Sequence, residues 1–260
     1  MREAIVGNIN SFLDKFFGIR IKRSRYTLHS VEFPQAQIIP QATYSPWLDD
    51  KNFQKIYQVA KNNSLVDEFR MYELWQLAQQ AVRSGGSFLE VGVWRGGSSA
   101  IIQAAIEQAA SETAATGNDI PKFYIADTFK GVVKAGSKED TLYKGGEHSD
   151  TSLDMVEDLF EKLHLTKPDI MVGIFPDDHP DLDIQKIGFV HSDVDAYQST
   201  KDIIEWCMPR LVKGAVLIFD DYGFRGCEGV TSYVNELMTI YPDKFVKIHN
   251  LNGHAILISK

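Results

Sequence analysis

Eight acidic residues stand at or just after the ends of apolar runs. Glu90 ends the run 88–91, Asp127 follows 123–126, and Asp177, with Asp178 beside it, follows 170–175. Asp193 and Asp195 follow 187–192, and the pair Asp220-Asp221 follows 215–219. Unpaired carboxylates brought into one cleft repel each other, so such a set needs something positive among them. Asp193, Asp220 and Asp221 would offer oxygen ligands from adjacent strand ends. That set suits a hard cation, Mg²⁺ first, with Ca²⁺ or Mn²⁺ as alternatives. His191 stands nearby, but a lone histidine at a strand end reads as a hydrogen-bonded core residue and stays outside the metal set. Cys207 and Cys227 form neither a disulfide framework nor a zinc pattern.

The second chemical feature is a glycine turn. The stretch 87–99 runs from a short apolar strand through Gly92, Gly96 and Gly97 into an apolar-periodic helix. This is how α/β proteins bring backbone N–H groups close to a cofactor. The spacing Glu90-x-Gly92-x-x-x-Gly96-Gly97 is not the dinucleotide pattern G-x-G-x-x-G. Asp127, ending the second strand, is suited to accept from both ribose hydroxyls of an adenosyl group and would repel a 2′-phosphate. Glu90 beside the turn is awkward for a pyrophosphate. It suits a positively charged cofactor without phosphates, and S-adenosylmethionine, with its sulfonium and α-ammonium, meets that description.

The elements that must position these residues follow from periodicity. The spacing predicts a helix opened by Ser45-Pro46 and running to about residue 61, and another over 66–83 with Phe69, Leu74, Leu77, Ala78 and Ala81 inward. Further helices fit 98–110, 151–163, 199–211 and 229–240. Strands fit 88–91, 123–126, 170–175, 187–192, 215–219, 244–248 and 255–259. Five buried-type strands separated by helices imply a parallel sheet, and the tight turn at 250–253 makes the last two strands antiparallel to each other. The expected fold is therefore α/β and Rossmann-like, a seven-stranded, mostly parallel sheet with one antiparallel strand and helices on both faces. Residues 130–149 form a long polar loop of the kind that serves binding or closure. Residues 4–17 place Ile5, Ile9, Phe12, Leu13, Phe16 and Phe17 on one helical face. With the proline-bearing connection after them, they suggest an arm over 1–65 packed on the core or on a partner subunit, ahead of a domain over 66–260. With 260 residues and a net charge of −8, the chain suits one sizeable domain and not nucleic-acid binding. No run is long enough to span a bilayer and no signal peptide is visible, so a cytoplasmic homo-oligomer is the expectation.

Four segments together are similar to the macrocin O-methyltransferase family. They are Glu-Val-Gly-Val-Trp-Arg-Gly-Gly-Ser-Ser at 90–99, Asp-Thr-Phe-Lys-Gly at 127–131, His-Ser-Asp-Val-Asp-Ala-Tyr-Gln-Ser-Thr at 191–200 and Phe-Asp-Asp-Tyr at 219–222. The resemblance implies a class I methyltransferase that moves a methyl group from S-adenosylmethionine to a hydroxyl of a sugar or glycosylated natural product with the help of Mg²⁺. It makes Asp193, Asp220 and Asp221 the metal ligands and Asp195 the general base. Glu90, Gly92, Trp94, Ser98, Ser99 and Asp127 become cofactor contacts, joined by Asp177 after the third strand. Phe-Pro-Asp-Asp-His-Pro at 175–180 departs from the family's Asp-Thr-Leu-Pro there. The competing reading is a metal-dependent hydrolase or nucleotide-processing enzyme on the same fold, which would need a phosphate cradle near the glycine turn, where only Arg95 is basic.

Overall fold

The structure, a computed structural model, describes residues 42–113, 120–136 and 140–260, with isolated positions 13, 33 and 38 before them. The chain divides into two compact units, Met1–Gln41 and Ala42–Lys260. The amphipathic stretch 4–17 and most of the connection after it lie outside the described residues. The second unit begins well ahead of residue 66, because the helix α1 (Lys51–Ala60) carries Phe53, Ile56 and Ala60 into the core. That helix is not opened by Ser45. Pro46–Leu48 forms a single 3₁₀ turn, and Asp50 starts α1 by accepting from the Phe53 N–H at 2.9 Å.

Helix α2 (Glu68–Ala81) is capped in the same way, Asp67 accepting from the N–H groups of Phe69 and Arg70. Its inward stripe is Arg70, Met71, Leu74, Trp75, Ala78 and Ala81. Phe69, expected inward, is 52 % exposed and packs edge-on against Trp47 instead. The stripe is rotated by one position, and this brings a charged side chain inside.

Seven strands form one sheet: β1 (Ser87–Val91), β2 (Phe123–Asp127), β3 (Asp169–Val172), β4 (Ile187–Ser192), β5 (Leu211–Phe219), β6 (Phe245–His249) and β7 (Ala255–Ser259). Their order is β3-β2-β1-β4-β5-β7-β6. The first five are parallel, and β7 runs antiparallel to both β5 and β6. β3 stops at Val172 rather than at 175, since Gly173 turns the chain with φ +135°.

Helices α3 (Gly97–Thr113) and α4 (Leu153–Leu163) join α1 and α2 on one face of the sheet, over Phe88, Ile125, Phe189 and Ile218. Helices α5 (Tyr197–Cys207) and α6 (Glu228–Ile240) cover the other, over Leu89, Val190, Leu217 and Leu257. Alternate residues of each central strand thus feed opposite cores, which is why these strands read as unbroken apolar runs. No helix among the described residues is long and apolar enough to cross a membrane.

Candidate active site

All five parallel strands end at one edge, and a cleft opens there. Its lining includes Gly92, Trp94, Ser98, Asp127, Asp193, Asp195, Asp220 and Asp221. Residues more than a hundred positions apart in sequence are brought together because β1 lies between β2 and β4, and β4 beside β5.

In the cofactor half, Asp127 organises the glycine turn. One carboxylate oxygen accepts from the N–H groups of Val93 (2.7 Å) and Trp94 (2.9 Å), and the other from Phe129 (2.6 Å). Gly92 has φ +91°, and a Cβ there would run into the Asp193 carbonyl. Only glycine lets β1 leave the sheet so close to the β4 exit. Trp94, itself at φ +47°, donates from its indole to Asp150, and Arg95 stacks on the Trp94 ring while pairing with the same carboxylate.

Three of the residues read as cofactor contacts do not line the cleft. Glu90 is fully buried, bonded to Ser99 Oγ and to His191 Nδ1 at 2.8 Å. Ser99 is its partner beneath the turn. Asp177 lies outside the cleft, half-exposed, in an ion pair with Lys134 at 2.8 Å. The geometry gives Glu90 and Ser99 a place under the floor, and Asp177 a place in the loop scaffold.

The other half is acidic. Asp193, Asp220 and Asp221 each present an oxygen within 4.8 Å of the others. Asp195 and Asp221 adopt left-handed backbone, φ +60° and +63°, which aspartate tolerates better than most residues. Burial, then Asp220 and Asp195, push the Asp193 carboxyl well above its usual range. Burial and the neighbours Asp220, Asp195 and Asp193 do the same to Asp221. Burial also works against an ionised Asp220, but His254 and Arg70 outweigh it and hold that carboxyl below its usual range. Two carboxylates that resist ionisation beside one that is firmly charged make a set that a dication would relieve. The donor chemistry therefore fits the hard cation expected from the sequence.

Several site residues carry no local sequence signal. Arg70 reaches Asp220 Oδ1 from α2, is also held by Asp67, and lies under Phe224. His254 Nε2 lies 3.1 Å from the same Oδ1, a close polar contact without the alignment of a regular hydrogen bond. Tyr143, from the long loop, stands against Asp195; burial and then that neighbour push its phenol pKa up. Cys227 Sγ is 3.8 Å from Asp195 Oδ1, and burial with the surrounding carboxylates keeps it a thiol.

That long loop is pinned. Asp140 is 2 % exposed and accepts from Gly136 N–H (2.8 Å) and from the first N–H of α5, on Tyr197 (3.0 Å). Lys134 bridges Asp177 and Asp202, and Ser199 Oγ donates to the Val133 carbonyl.

Strand order and a carboxylate-rich carboxyl edge are those of class I methyltransferase folds. Among solved structures the chain is similar to the O-methyltransferase NovP, with a TM-score of 0.65 at 21% identity over 76% of this chain and 82% of that one. It is also similar to an O-methyltransferase from Bacillus cereus in complex with SAH, at a TM-score of 0.53 and 14% identity over 97% of both chains. Residues 47–246 match the family model described as Macrocin-O-methyltransferase (TylF), and the chain belongs to that family. It is 31% identical over 150 residues to the 8-demethyl-8-(2,3-dimethoxy-alpha-L-rhamnosyl)-tetracenomycin-C 4'-O-methyltransferase of Streptomyces olivaceus, spanning 55% of each chain. To the Mycinamicin III 3''-O-methyltransferase of Micromonospora griseorubida it is 29% identical over 66% of this chain and 70% of that enzyme. The match thus spans little more than half the length of the first of these relatives.

Proposed function

We propose that this chain transfers the methyl group of S-adenosylmethionine to a hydroxyl of a sugar, or of a sugar-bearing natural product, with a divalent cation, Mg²⁺ in the first place, in the acidic half of the cleft. The observation that carries the reading is the convergence of Asp193, Asp195, Asp220 and Asp221 on the cleft that the Asp127-held glycine turn also lines. The named relatives act on glycosylated compounds, which supports a sugar hydroxyl or diol as the acceptor.

Each residue has a defined task. Gly92, Trp94 and Ser98 bound the donor side of the cleft, with Asp127 fixing the turn's backbone and Glu90 bracing it from below through Ser99. Asp193, Asp220 and Asp221 would hold the cation, whose Lewis acidity makes a bound hydroxyl easier to deprotonate. Asp195, at the same edge and against Tyr143, takes the hydroxyl proton as general base. S-adenosylmethionine, when bound, would supply a methyl group on a sulfonium, which the hydroxyl oxygen would take while the carbon–sulfur electron pair stays with S-adenosylhomocysteine. Holding two reactants in line accounts for much of such a rate enhancement. A nucleotide-processing role finds no support at the turn, because Arg95 is paired with Asp150 and stacked on Trp94.

Turnover of a deoxysugar glycoside with S-adenosylmethionine should be abolished by EDTA and restored by Mg²⁺; full activity in chelator would refute the cation's role. Asp195→Asn should lower kcat by about 100-fold or more with Mn²⁺ affinity unchanged, and loss of Mn²⁺ binding instead would make Asp195 a ligand. The reading also includes a homo-oligomer, supported by the amphipathic pattern of residues 4–17, and a cytoplasmic location, in keeping with the free thiols of Cys207 and Cys227.

A further inference from the structure

Beneath the acidic half of the cleft runs a buried polar cluster that the proposed chemistry does not use. His254, fully buried, holds Glu73 Oε2 through Nδ1 at 2.5 Å, and Asn250 donates to the same Glu73 oxygen at 2.7 Å. On its other side, His254 Nε2 meets Asp220 Oδ1 at 3.1 Å. Arg70 reaches that same Oδ1 from α2, where Asp67 and the Phe224 ring fix its guanidinium. Two side chains on separate elements therefore converge on one oxygen of Asp220, a residue that also lines the cleft.

We infer that Arg70 and the Glu73–His254 pair are the positioning residues of Asp220, setting the rotation of its carboxylate and with it the affinity of the site for its cation. The inference rests on the proposed function and adds to it a support built from α2 and from the turn before β7. A buried carboxylate has two rotational choices; an anchor on Oδ1 from two directions removes one of them. The backing carboxylate Glu73 orients the imidazole, as carboxylates behind metal-site residues do, where losing such a partner weakens metal binding by about 10–100-fold. A second cation bound directly by His191, Asp220 and His254 is disfavoured, because Arg70 and His254 already face that aspartate.

The test is Mn²⁺ affinity, followed by calorimetry and by the Mn²⁺ paramagnetic resonance signal, with S-adenosylmethionine affinity and the melting curve measured alongside. His254→Leu should weaken Mn²⁺ binding about 10-fold or more, while His254→Gln, which keeps a nitrogen donor near the Nε2 position, should recover most of the loss. Glu73→Gln, which is near-isosteric, and Arg70→Lys, which keeps the charge but loses the fork that holds Asp67 and Asp220 together, give two further variants should the leucine variant not fold, and each should weaken Mn²⁺ binding. S-adenosylmethionine affinity should stay within about twofold in every variant. Wild-type Mn²⁺ affinity in all four variants would overturn the positioning role, as would equal losses in the leucine and glutamine variants. Failure of the unaltered chain to bind Mn²⁺ at all would overturn the cation reading itself, and this inference with it.

Discussion

Asp193 and Asp221 resist ionisation for a reason visible in their surroundings: both are enclosed with like charges, and Arg70, which favours an ionised Asp193, is already shared between Asp220 and Asp67. Their folded-state pKa values lie above the unfolded ones, so the native state loses stability as pH rises from the ordinary carboxylate range toward those raised values. Asp220 has the opposite sign: its lowered pKa stabilises the fold above the ordinary carboxylate range, and that contribution is lost on acidification. Metal-free protein should therefore melt at a lower temperature at about pH 8, well above the ordinary carboxylate range, than at about pH 5, just above it. Saturating Mg²⁺ should raise the melting temperature by about 5 °C or more at the higher pH and by less at the lower. Equal shifts at both pH values in differential scanning calorimetry would contradict the electrostatic account. The aspartates themselves were legible in the sequence, because each ends an apolar strand. Arg70 and His254 were not: the Arg70–Asp220 contact joins residues 150 positions apart. Glu90 shows the limit most clearly, since its role depends on His191, 101 positions away.

At the scale of elements, the strands and most helices were readable because their apolar patterns are long and their stops are glycine or acidic residues. The errors came where caps and packing decide. Asp50 rather than Ser45 opens α1, and α2 turns Arg70 inward and Phe69 outward. The long loop after β2 reads by composition as one for binding or closure, and its composition says nothing of what holds it. Its attachment lies in Asp140, whose carboxylate caps α5 across 57 residues of sequence. Helix α5 follows Asp193 and Asp195 directly, so the loop and the acidic edge are mechanically joined. Removing that carboxylate in Asp140→Ala should lower stability by about 2–4 kcal/mol and speed proteolytic cutting within 128–150. Asp140→Asn, which keeps one acceptor, should lose less. Unchanged proteolysis in the alanine variant would show that Lys134 and Ser199 hold the loop without it.

The molecule as a whole separates into Met1–Gln41 and a much larger unit from Ala42 onward, and the core residues of α1 belong to the latter. A chain starting at Ala42 should melt cooperatively within a few degrees of the full chain while changing its assembly mass, measured by light scattering. A large drop in melting temperature would mean that the first unit supports the second, and an unchanged mass would remove the arm from assembly. The sheet order has a further consequence, for the chain during its synthesis. β7 fits between β5 and β6, so the hydrophobic edge of β5, residues 215–219, has no partner on that side until residues 255–259 have left the ribosome. A product ending before residue 254 would lack His254 and would expose that open edge to other chains. Premature termination would thus yield an aggregating chain rather than a smaller folded one.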